Sequence, residues 1–219
     1  MELIKPSYQV YLDAEPEQIL GNVERAGRVC YKSEGKITPS SSTEFVKRII
    51  KNGHESVLEH EKVTVRIICD RGVSHELVRH RIASYSQEST RYCDYGGGHI
   101  KFVIPPWASD IEPGTYVTGR SGPGVAYPSF MWFSAMASAE ETYKDLRSSG
   151  WSPQQARSVL PNSLKTEIVM TCNLREWRHF FKLRTSLAAH PQMREIVIPL
   201  LETFRDLIPV VFDDLDITD

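Results

Sequence analysis

The sequence predicts an α+β fold. Apolar residues recur at helical spacing in several long segments, and three strand-like stretches of alternating or extended character interrupt them. Nothing in the chain alternates regularly between strand and helix as a doubly wound sheet requires. Residues 16–31 place Ile19, Leu20, Val23, Ala26 and Val29 on one helical stripe behind Pro16, which suits a first helical turn. Residues 41–52 repeat the pattern with Phe45, Val46, Ile49 and Ile50, with Ser42 or Thr43 as cap candidates and Gly53 where a helix end favours positive φ. Residues 61–69 alternate, with Val63, Val65 and Ile67 on one face, the period of a half-buried strand.

A short helix is expected over Val73–Ile82, then a polar aperiodic stretch from Ala83 to Tyr95. Lys101–Ile104 reads as a strand stopped by Pro105 and Pro106. The density of Gly and Pro over 109–128 predicts a long loop or a lid. Helices follow over 129–149 and 153–159, an extended piece over Lys165–Thr171, then helices near 173–187 and 192–208. No repeat or linker divides the 219 residues, which predicts a single domain over 1–219.

Composition excludes several functional classes. With Lys+Arg 26 against Asp+Glu 28, the formal charge of −2 provides no basic field to recruit nucleic acid. No apolar run approaches the ~20 residues of a membrane span, and the first residues lack the pattern of a signal peptide. The four cysteines, Cys30, Cys69, Cys93 and Cys172, have no CxxC spacing, so neither a zinc knuckle nor a disulfide scaffold is expected. These features predict a cytoplasmic protein with reduced thiols.

The chemistry concentrates in Arg79–Tyr92. Three arginines, a histidine, hydroxyls and amides occupy fourteen residues, and Ser89-Thr90-Arg91 offers donors of the kind that grip a phosphate. A solvated basic run is the plain alternative. A second anomaly lies on the helix expected after Asn173. Leu174, Trp177, Phe180 and Phe181 project to one face and Arg184 falls among them, whereas Arg175, Arg178, His179 and Lys182 project to the other. An arginine there either snorkels at a core edge or meets a buried anion such as a deprotonated imide. His54 and His60 are six residues apart, not the four of a helical zinc pair, so no metal is expected.

Arg79-His80-Arg81, Ser84, Ser89 and Arg91 fit the RHRxxSxxxxSxR signature, six positions fixed within thirteen, and on it the chain resembles the flavin-dependent thymidylate synthases. The segments Gly53–His60, Ala156–Pro161 and Asn173-Leu174-Arg175 through Leu183-Arg184 extend that resemblance over about residues 20–205. It implies helices packed against a mostly antiparallel sheet. It further implies reductive methylation of dUMP to dTMP, with methylenetetrahydrofolate as carbon donor and NADPH reducing a bound FAD, in a homotetramer with shared active sites. By matched position, Ser56, Arg79, His80, Arg81, Gln87, Asn173, Leu174, Arg175 and His179 would contact FAD. Glu76, Leu77, Val78, Arg79, Gln87, Glu88, Ser89, Thr90, Arg91, Arg157 and Arg184 would contact dUMP, with Arg184 as the residue that favours the ionised uracil ring. Relatives often carry Asn-Glu in place of Ser86-Gln87, and some carry Gln in place of Glu76. The rival from another class is a nucleic-acid-binding module that stacks bases on Tyr85 and Tyr92, which the net charge disfavours.

Overall fold

The computed structural model describes residues 1–117 and 125–217. In chain order the elements are β1 (Glu2–Ile4), β2 (Ser7–Tyr11), α1 (Pro16–Val29), α2 (Ser41–Lys51), β3 (Lys62–Asp70), α3 (Arg71–Leu77), β4 (Ala83–Gln87), β5 (Lys101–Val103), β6 (Gly114–Thr115), α4 (Tyr127–Ser148), α5 (Pro153–Ala156), β7 (Lys165–Asn173), α6 (Leu174–Arg184), α7 (Pro191–Leu207) and α8 (Pro209–Phe212). Short 3-10 turns cover Glu34–Lys36, Glu55–His60 and Arg157–Val159. One sheet has the order β5-β1-β6 and the other β2-β3-β7-β4. The α+β expectation is met. Within the smaller sheet, β1 runs antiparallel to β6 but parallel to β5, with Leu3 opposite Phe102.

The chain forms two compact units. The first comprises Met1–Ser7, Ile67–Arg79 and Ser86–Ile168. Its core gathers Leu3 of β1, Phe102 of β5 and the buried face of α4, namely Phe133, Met136 and Tyr143. Asp110 holds the start of α4 by accepting from the Ala126 N–H and the Ser129 hydroxyl, both at 2.5 Å. Orphan donors at a helix start are satisfied here by a carboxylate sixteen residues upstream of Ala126.

The second unit comprises Tyr8–Arg66, His80–Tyr85 and Val169–Asp219. An aromatic cluster centres it: Phe204 lies 5.0 Å from both Trp177 and Phe181 and 5.1 Å from Phe212, ring centre to ring centre. Trp177 satisfies its indole N–H on the Val63 carbonyl at 3.0 Å, so the ring is buried without an orphan donor. Helix α1 approaches α2 closely at Gly27, where an added Cβ would lie 2.5 Å from the Phe45 ring. Gly53 adopts φ +71 just after α2, as the helix-end expectation required.

The structure adds to the sequence expectations and corrects some of them; β1, β2, β6 and α8 were not expected. Helix α3 stops at Leu77 and β4 follows, in the stretch that looked aperiodic. β4 stands at the end of its sheet and none of its five residues is fully buried, so no apolar alternation marks it. Ser42 and Thr43 lie inside α2; the neighbouring Ser41 hydroxyl donates to Glu24 at 2.8 Å instead. Arg178, on the face of α6 projected away from Trp177 and Phe181, is only 2 % exposed. The lid expected over 109–128 falls partly on 118–124, outside the described residues; around it stand β6 and the start of α4.

Candidate active site

The second unit builds its part of the site on α6. Asn173 caps that helix by accepting from the Glu176 N–H at 2.8 Å, and the Leu174 N–H donates to the Glu61 carbonyl at 2.9 Å. These two bonds fix where the first turn of α6 points. A cavity of about 490 Å³ is lined by Asn173, Arg175, Glu176, His179, Lys182 and Ile82, with Glu55 and Glu59 also in its wall. Arg175 pairs with Glu59. His179 is exposed, as are Ser56 in the 3-10 turn and Arg81. Leu174 is wholly buried, so its side chain belongs to the core and not to the cavity wall.

His80 sits beneath this surface at 6 % exposure, its ring edge-on to Phe180 at 4.9 Å and 6.0 Å from the His179 ring. Arg184 Nε donates to His80 Nε2 at 3.0 Å. A guanidinium carries donors only, so His80 Nε2 must accept. The imidazole is therefore neutral and its one proton resides on Nδ1, which stands 3.2 Å from Glu176 Oε1. Electrostatics agree: burial pushes the His80 pKa down, Arg184 and His179 push the same way, and the Glu176 hydrogen bond opposes them. The Tyr85 hydroxyl donates to the His80 carbonyl at 2.8 Å, and burial raises its pKa.

His80, Glu176 and His179 also bring three potential ligand atoms within 4.8 Å. Both His80 nitrogens are committed to Arg184 and Glu176, so His80 itself offers a metal no free lone pair.

The first unit builds a separate set. Arg157 Nη1 donates to Thr90 Oγ1 at 3.0 Å, and the Arg91 N–H donates to Ser89 Oγ at 3.3 Å. Arg91 and Arg157 are exposed while Thr90 is buried, so a buried hydroxyl anchors one of two outward-facing guanidinium groups. Arg91 also lies 5.5 Å from the centre of the Tyr92 ring, a cation–π distance. Among the described residues, no carboxylate forms an ion pair with Arg79, Arg91 or Arg157 in this unit, or with Arg81 in the other. That combination differs from a solvated salt-bridged run and leaves positive charge for an anionic ligand.

Other predicted residues face inward. Gln87 Nε2 donates to Ser74 at 2.9 Å and to Thr166 at 3.1 Å. Glu88 accepts from Tyr95 at 2.8 Å and from Lys165 at 2.7 Å. The substituted Gln87 thus has an internal role, and its acidic neighbour is neutralised by a lysine. Leu77 is buried, Val78 is exposed and Glu76 is half-buried.

The family described as Thymidylate synthase complementing protein matches residues 14–210. A flavin-dependent thymidylate synthase of Geobacter sulfurreducens is 37% identical over 199 residues, covering 88% of this chain and 80% of that protein. Another, of Mycolicibacterium gilvum, is 38% identical over 201 residues, covering 90% and 79%. The chain belongs to the flavin-dependent thymidylate synthase family.

Among solved structures, a UMP/dUMP methylase, PolB, from Streptomyces cacaoi bound with 5-Br dUMP superposes with TM-score 0.74 at 24% identity, covering 97% of this chain and 96% of that one. The two chains share a fold over nearly their whole length. Nothing in the sequence of this flavin-dependent thymidylate synthase family member singled out Glu176. Glu176 carried no motif; its one signal was an acidic residue three positions after a capping Asn.

Proposed function

We propose that this protein converts dUMP to dTMP, with methylenetetrahydrofolate as carbon donor and NADPH reducing a bound FAD. The observation that carries the proposal is an intact RHRxxSxxxxSxR signature in a chain 37% identical to a flavin-dependent thymidylate synthase over 88% of its length. FAD, when bound, supplies the hydride that turns the transferred methylene into a methyl group. The chain's donor set suits such a group: Arg79 and Arg81 present exposed guanidiniums for a pyrophosphate, and Asn173, Arg175 and His179 line one cavity. Ser56, His80, Gln87 and Leu174 complete the proposed FAD set, with Gln87 and Leu174 acting through backbone or packing.

Ser89, Thr90, Arg91 and Arg157 hold the dUMP phosphate in this reading, with Glu76 to Arg79 and Gln87 to Glu88 along the nucleotide. Arg184 carries the chemical role. Its fixed guanidinium stabilises the anionic uracil ring whose N3 proton has passed to solvent, and the added negative charge raises the nucleophilicity of the ring carbon that takes the methylene. No described helix is long and apolar enough to cross a membrane. We place the protein in the cytoplasm, with its nucleotide substrates, as a single functional domain over 1–219 that assembles into a homotetramer with shared sites.

The test is direct. The purified protein, given FAD, NADPH, methylenetetrahydrofolate and dUMP, forms dTMP, and omitting NADPH, methylenetetrahydrofolate or dUMP, or stripping the bound FAD, abolishes product. Mass photometry of the same sample reports four chains.

A further inference from the structure

We infer that Glu176 is a positioning residue for Arg184, acting through His80; the inference rests on the proposed role of Arg184 at the uracil ring. The three side chains form one line of hydrogen bonds, Arg184 Nε to His80 Nε2 at 3.0 Å and His80 Nδ1 to Glu176 Oε1 at 3.2 Å. A neutral imidazole has one proton to place. If it sits on Nε2, that nitrogen becomes a donor facing the donor on Arg184, and the contact turns repulsive. Glu176 keeps the proton on Nδ1, so the Nε2 lone pair stays aimed at the guanidinium.

Each member of the line is held in place. The Glu176 backbone is tied to Asn173 at the first turn of α6, and the residue is 8% exposed. Phe180 stands edge-on to the imidazole at 4.9 Å, and the His80 carbonyl accepts from Tyr85 at 2.8 Å. Anchoring the guanidinium through Nε fixes its plane, and recognition of a planar anion depends on that plane as well as on the charge. Glu176 and Arg184 lie on one helix, two turns apart, and His80 spans the gap between them. The carboxylate does not touch the substrate in this account; it sets the tautomer of the ring that does the holding.

The experiment is single-turnover reoxidation of reduced, folate-loaded holoenzyme by dUMP, in Glu176→Ala, Glu176→Gln, Arg184→Ala and the Glu176→Ala/Arg184→Ala double variant. Glu176→Ala should slow the step on the order of 10²-fold, the scale of a misplaced catalytic group. Glu176→Gln, whose carboxamide oxygen still accepts the Nδ1 proton, should recover to within a few fold of wild type. In the Arg184→Ala background, Glu176→Ala should cost nothing more, because the group it positions is gone. A wild-type rate for Glu176→Ala, no recovery in Glu176→Gln, or a full further loss in the double variant overturns the inference. A wild-type rate for Arg184→Ala instead overturns the role of Arg184 itself. Should Glu176→Ala fail to fold, nitrogen-15 spectra of histidine-labelled wild-type holoenzyme decide the matter: His80 protonated on Nδ1 supports the line, and protonation on Nε2 refutes it.

Discussion

Arg157 Nη1 donates to Thr90 Oγ1 across 3.0 Å, joining residues 67 positions apart. The bond orients an exposed guanidinium from a buried hydroxyl, beside Arg91 in sequence and with no carboxylate partner among the described residues. Replacing Arg157 with Ala should weaken dUMP binding by about 1.5–3 kcal/mol, the range for hydrogen bonds to charged groups. Titration of dUMP against flavin absorbance measures it. The melting temperature should stay close to wild type, since the lost group is on the surface.

The flavin arginines are expected to behave differently. Arg79→Ala combined with Arg81→Ala should purify with little FAD while the fold survives, because both side chains are exposed. Flavin absorbance per protein, read beside far-UV circular dichroism, checks this; a full flavin complement in the double variant refutes the assignment.

Arg178 should matter for stability. It is 2 % exposed, bonds Glu55 at 3.1 Å and Asp214 at 2.6 Å, and also donates to the Val211 carbonyl. Arg178→Met leaves two carboxylates without their partner. Because Asp214 is half exposed, water recovers part of the loss, and a cost of about 1–3 kcal/mol is expected. Arg178 holds the Asp214 carboxyl below its ordinary range. A depressed carboxylate stabilises fully above its unfolded pKa of ~3.9, and that contribution fades as pH falls toward the folded value. Urea melts from pH 6 downward should therefore show this acid-side loss in the wild type and a shallower loss in Arg178→Met.

Arg184→Lys separates a held guanidinium from a charge that merely snorkels. A lysine keeps the charge but lacks both the planar fork and the Nε that His80 holds at 3.0 Å. The single-turnover rate should fall ~10²–10³-fold with flavin content unchanged. A yellow, folded Arg184→Lys enzyme at the wild-type rate would return Arg184 to the edge of the core.

Much of this was legible in the sequence, for physical reasons that vary by element. The stripes of α1, α2 and α6 and the alternation of β3 were visible because each has an apolar face that is buried. The Arg79–Arg91 cluster was visible because its pieces adjoin in sequence. β4 was not, since an end strand without a buried face has no apolar period. The burial of Arg178 was not legible because a helical projection gives a residue's face on α6 but not what packs against that face. That face of α6 meets the Glu55–His60 turn and Asp214. The Glu176–His80 contact spans 96 positions and follows no local spacing rule, so only the folded chain brings it into view.

The central claim is that this chain moves a flavin-borne hydride into the methyl group of dTMP. Holoenzyme reduced without oxygen by NADPH, then freed of excess nicotinamide, should recover its oxidised flavin spectrum when dUMP and methylenetetrahydrofolate are added together, with one dTMP formed per flavin reoxidised. A spectrum that stays bleached, or dTMP formed while the flavin remains reduced, would contradict it.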